Sequence, residues 1–210
     1  MDLLLFVVLV LAASFLLRAK AQKQRIQLLS HYLRNYDIEK LLERLVGGYM
    51  RALGESDPAR QAQIWELQLP VEKSLCSQFG SFADTLAQAP EPDNGASFLV
   101  SNQPLGFPFS RLIARLQGKR GGFDLRTAIR LHADGINRVA QNAEGLAPKD
   151  KAYTLLAELY LMQHTCHWFC KSKTVASARM QLRNQTRYEQ VVESVSPETR
   201  QAYLALIGGR

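Results

Sequence analysis

Three cysteines in 210 residues, at positions 76, 166 and 170, are too few and too irregularly spaced for a disulfide framework. Free thiols of this kind suit a reducing compartment. The chain also lacks G-x-S-x-G, H-E-x-x-H and any calcium-binding loop pattern, which removes the common hydrolase and metalloprotease signatures. Histidine is scarce, with only His31, His132, His164 and His167 available for acid–base or ligand chemistry. No segment alternates apolar and polar residues with a period of two, so no strand is expected. No family resemblance and no cofactor are read from the residues.

What is present begins with Leu3 to Leu17, LLLFVVLVLAASFLL, which holds no charge and a single polar residue, Ser14. It has no polar face and so does not read as a surface helix. As a helix the run spans roughly 22 Å, short of a hydrocarbon core of about 30 Å. Met1, Ala19 and Ala21 extend it, while Arg18 and Lys20 can reach the headgroups. Two rivals are a cleaved secretory signal, suggested by Ala19-Lys20-Ala21, and a buried core helix. A signal wants positive charge before the run. Here Asp2 precedes it, and Arg18, Lys20, Lys23 and Arg25 follow. The positive-inside rule then puts the N-terminus outside and the body in the cytoplasm. The expectation is residues 1–20 as a transmembrane anchor in an inner membrane, 21–36 as a helical stalk and 37–210 as a cytoplasmic α-helical domain.

Helical spacing continues beyond the anchor, through Ile26, Leu29, Leu33 and Tyr36. Asp37 is placed to cap a helix carrying Ile38, Leu41, Leu42, Leu45, Val46, Tyr49, Met50 and Leu53 on one face, with Gly47 and Gly48 offering room for a neighbour. Asp57-Pro58 opens the next helix, in which Pro70 predicts a kink or two consecutive helices. Residues 89–107 are rich in Pro and Gly yet carry Phe98, Leu99, Val100, Leu105 and Phe107. Such a loop should pack along the body, or mark a division between two halves. Further helices are expected at about 108–117, from Asp124 toward Gly145, from Pro148 to about Lys171, over 174–194 and after Pro197. The fold class is all-α, an irregular multi-helix bundle behind a single N-terminal membrane helix.

The densest reactive cluster is His164-Thr-Cys166-His167-Trp-Phe-Cys170. Cys166, His167 and Cys170 lie on one side of a helix and could hold zinc or copper(I) if another element, His132 being the one named, supplied a fourth ligand. Against this, both cysteines continue the apolar stripe from Leu155 through Met162, and the spacing matches no standard zinc module. The turn Gly118-Lys119-Arg120-Gly121-Gly122 lacks the upstream glycine of a phosphate loop.

The net charge of +7 is uneven. Residues 26–110 hold six bases and ten acids, 111–138 seven bases and two acids, and 171–190 five bases and one acid. Lys119, Arg120, Arg126, Arg130, Arg179, Arg183 and Arg187 could join into one basic surface. An ordinary solvated face explains such residues too. Beside a bilayer, anionic lipid is the natural partner, with nucleic acid behind it for want of a recognition motif. The leading functional expectation is a membrane-anchored interaction or scaffold module whose partner is another protein, with metal- or thiol-dependent chemistry and nucleic-acid binding as alternatives.

Overall fold

The computed structural model describes residues 2–92, 97–101 and 121–208. Among these are eight helices: α1 (Asp2–Leu33), α2 (Ile38–Gly54), α3 (Pro58–Ala87), α4 (Leu125–Gln141), α5 (Pro148–Cys170), α6 (Lys173–Asn184), α7 (Tyr188–Ser194) and α8 (Pro197–Gly208). The class is all-α. The helix expected at 108–117, with Leu105 and Phe107 before it and Lys119 and Arg120 after it, lies outside the described residues.

One helix is long and apolar enough to cross a membrane, α1, and none of its most apolar stretch is buried within the chain. Leu3 to Leu11 are each about half exposed or more, as are Phe15, Leu16 and Leu17. That excludes a core helix, because a core helix would be covered by its own chain. The second half of α1 behaves differently. Leu29 is buried, and Leu28, Tyr32 and Leu33 pack beside it against the main core. Tyr32 lies against Phe98, and Tyr36 against Phe82. The Tyr36 hydroxyl donates to the Ser81 carbonyl at 3.2 Å. The segment read as a stalk is therefore docked on the body.

α2 and α3 form a helical hairpin. Asp57 caps α3 by accepting from the Ala59 amide at 3.1 Å. α3 runs through Pro70 as one helix and not as two consecutive ones. Gly48 provides the close approach anticipated: a Cβ there would fall 2.2 Å from the Gln68 side chain, whereas Gly47 faces open space.

A two-stranded antiparallel ribbon, β1 (Leu99–Ser101) and β2 (Gly122–Asp124), was not expected. Each strand buries one residue, Val100 or Phe123, too short a run for a period of two to show. The ribbon carries Phe98 and Val100 into the core, as the apolar content of that loop implied. The Trp168 indole donates to the Ser101 carbonyl at 2.9 Å and pins it to α5. Elements on both sides of this loop share one core, formed by α2, α3, α4 and α5.

α5 is the central helix. Its sequence suggested one core face, but Leu155, Leu156, Ala157, Glu158, Leu159, Leu161, Met162, His164 and Thr165 are all buried. Partners surround it, with α4, α6 and α7 among them. The helix expected over 174–194 is two helices. Gln185 takes the left-handed conformation at φ 52° and ends α6. The chain then turns so that Tyr188, Val191 and Val192 can bury in a second, smaller cluster with Tyr203.

Candidate functional site

The Cys/His stretch of α5 is divided among different neighbours. Cys166 and Cys170 are half-buried against the main core, and the Cys166 sulfur lies 4.0 Å from that of Met162. Burial, with Cys170 beside it, pushes the Cys166 thiol up to about 12. Burial likewise raises Cys170 to about 11, although Arg25 and Lys171 pull the other way. His167 is held below the usual imidazole range by burial and by Arg179 and Arg183. A metal needs thiolates and a convergent set of ligands. No group of three or more potential ligands assembles among the described residues. His132, considered as the fourth ligand, hydrogen-bonds Thr165 through Nε2 and is not part of such a group.

The basic surface also divides. Arg126 holds Asp124 with three contacts of 2.6–3.1 Å, reaches Glu91 at 2.7 Å, and lies over the Phe98 ring. It ties β2 to the segment after α3. Arg130 pairs with Asp84 across α3 and α4. Both arginines pair with carboxylates, Arg126 partly buried and Arg130 still exposed. Arg187 lies outside α6, at the start of α7, so it does not continue the face of Arg179 and Arg183. Those two remain exposed, next to the exposed apolar Val175 and Leu182.

Two buried polar centres were not legible in the sequence. The first joins α2, α3 and α5. Glu72 accepts from the Tyr49 hydroxyl and from the Lys151 ammonium, each at 2.5 Å. All three residues are buried. Burial and the Glu72 carboxylate raise the Tyr49 phenol far above its ordinary range. Cys76, one turn along α3, is pushed up to about 11 by burial and by Glu72, with Lys151 opposing. It lines an open groove of about 570 Å³ between α3 and α4, walled also by Asp84, Arg130, Asp134 and Asn137.

The second centre lies among α4, α5 and α8. The Glu158 carboxylate, fully buried, accepts from the Ser196 amide at 3.1 Å and hydroxyl at 2.8 Å. Burial raises it above the usual carboxylate range, against the hydrogen bonds from Ser196 and Thr199. Gly135 makes room for it: a Cβ there would meet Thr199 Oγ1 at 2.3 Å and Glu158 Oε2 at 2.8 Å. Beside it, His132 lies 2.9 Å from the Thr165 hydroxyl, which donates to the Leu161 carbonyl. Thr165 therefore accepts from His132 Nε2–H, leaving Nδ1 bare. His164 pairs with Ser177 at 3.0 Å and stacks on Tyr188 at 4.5 Å.

Both histidines are held neutral. Burial, with His164 nearby, lowers His132 to about 3, and burial, with Lys173 and His167, lowers His164 to about 3. Unfolding lets each take up a proton below about pH 6.5. Their contribution to stability is complete above that pH and is lost as the pH falls toward 3, by up to about 1.4 kcal/mol per pH unit for each. Glu158, raised rather than lowered, works in the opposite sense and loses its contribution as the pH rises. The urea midpoint should therefore be lower at pH 5 than at pH 7.5, and His164→Gln should flatten that dependence. Equal midpoints for the wild-type chain at the two pH values would show that burial of the two rings is not what sets the profile.

No protein family, curated protein or solved structure matches this chain.

Proposed function

We propose that this chain is a membrane-anchored helical interaction module, held by α1 in an inner membrane of bacterial type with its body on the cytoplasmic side. The observation that carries this reading is the division of α1. An uncovered apolar half is fused, without a break, to a half docked on the body. The orientation rests on Arg18, Lys20, Lys23 and Arg25 following the apolar run, against Asp2 before it. The exposed apolar side chains that the α2–α3 hairpin offers to another protein are Met50, Leu67 and Leu69, 54–68% exposed, with Leu67 and Leu69 on different sides of α3.

Affinity purification of the full chain after mild detergent extraction tests it. A defined partner should co-purify in fixed ratio and be lost when Leu67 and Leu69 are replaced together by Glu. Recovery of a partner-free monomer would contradict the reading.

A further inference from the structure

We propose that α6 is a membrane-surface helix, its outer face lying on the headgroups of an anionic leaflet. The inference rests on the reading of α1 as the anchor and adds a second point of contact.

Two bonds tie the start of α6 to the membrane end of α1. Lys171 Nζ donates to Gln22 Oε1 at 3.1 Å, and Arg25 donates to the Phe169 carbonyl at 3.3 Å. Gln22 is five residues beyond Leu17, where the apolar run ends, a rise of only about 8 Å. The chain enters α6 two residues after Lys171, so its first turn sits near the level of the headgroups.

The face of α6 fits that position. At 100° per residue, Val175, Ala178 and Leu182 fall within about 60° of one another. They lie opposite the buried Ala176 and Met180, which fix the inner face. Leu182 is 84% exposed and Val175 49%, an apolar surface left to water among the described residues. Arg179 and Arg183 border this apolar strip along one side and form a shallow hollow with it. From Lys171 to Tyr188 the chain carries five bases and no acid. An apolar strip edged by bases, beside a membrane helix, matches an anionic bilayer surface: the apolar side chains enter the acyl boundary and the guanidiniums meet phosphates.

The test uses the full chain carrying Leu182→Trp, reconstituted in vesicles of phosphatidylcholine alone or mixed with phosphatidylglycerol. Tryptophan emission is read as the difference from the wild-type chain, with brominated acyl chains as quencher. In anionic vesicles the new signal should shift to the blue and be quenched by the lipid. In phosphatidylcholine alone it should be much more weakly quenched. Adding Arg179→Gln and Arg183→Gln should lower the docked-to-undocked ratio roughly thirtyfold, about fivefold per base. Flotation with both vesicle types reports on the anchor separately. A chain that floats while residue 182 stays accessible to aqueous acrylamide overturns the surface-helix proposal alone. A chain that does not float overturns the anchor with it. Equal quenching in both lipids overturns the anionic specificity, and a signal already buried in detergent, growing with protein concentration, would assign the face to a second copy.

Discussion

Val8→Arg combined with Leu11→Arg should move the protein from the membrane pellet to the soluble fraction. Both side chains lie in the middle of the apolar run and are more than half exposed within the chain, so neither supports the body. A guanidinium near the centre of a membrane helix costs about 2.5–3.5 kcal/mol. Two should disfavour insertion by roughly 5–7 kcal/mol, a shift of about 10⁴ in partition. The body should stay folded, because the apolar stretch that carries both residues is not buried within the chain. High-salt or carbonate washing after cell lysis reads the result. Retention of the double variant in the pellet would mean that something other than the apolar run holds the chain there.

The second large effect belongs to Glu72. Glu72→Ala leaves the Lys151 ammonium buried without its carboxylate and removes the acceptor of the Tyr49 hydroxyl. Breaking a buried pair by removing one partner costs about 3–5 kcal/mol. In a body of this size the melting temperature should fall by roughly 6–20 °C. Replacing both members, Glu72→Leu with Lys151→Met, should recover much of that loss, since a packed apolar pair avoids the desolvation of two charges. Circular dichroism melting of the detergent-solubilised chain measures both. A single variant that melts within about 2 °C of the wild type would show that the site relaxes and hydrates Lys151.

Much of the architecture was legible because it follows from short-range pattern. The 3–4 spacing from Ile38 to Leu53 gave α2, in which Ile38, Leu41, Leu42, Leu45 and Tyr49 are buried, Val46 and Leu53 partly so, and Met50 is exposed against expectation. Asp57-Pro58 and Asp124 mark the starts of α3 and α4, where both aspartates accept the expected amide hydrogen bonds. What the sequence hid was set by tertiary contacts. The ribbon pairs segments some twenty residues apart, and its strands are stabilised by Trp168 and by Leu125, whose amide donates to the Phe98 carbonyl. The break between α6 and α7 depends on Gln185 in a left-handed conformation, which no glycine or proline announces.

The candidate sites were less legible for the same reason. Spacing put Cys166 and Cys170 on the apolar stripe of their helix, where they pack against the core, but it could not show that His167 lies near Arg179 and Arg183. Arg126 and Arg130 read as surface charge until the chain brings Asp124, Glu91 and Asp84 to them. Glu72, Lys151 and Glu158 carried no signal at all, since a charged residue on an amphipathic helix is ordinarily solvated. The nearest hint was Gly135 in the middle of α4, an expensive residue in a helix interior unless something must approach it.

The proposed function requires α1 to cross the membrane with the body on its cytoplasmic side. The most direct test is a pair of C-terminal fusions to the full chain, one reporter active only in the cytoplasm and one active only after export. The cytoplasmic reporter should be active and membrane-bound, with the apolar run still present at the N-terminus. Activity of the export reporter, or a mature chain beginning at Gln22, would contradict it.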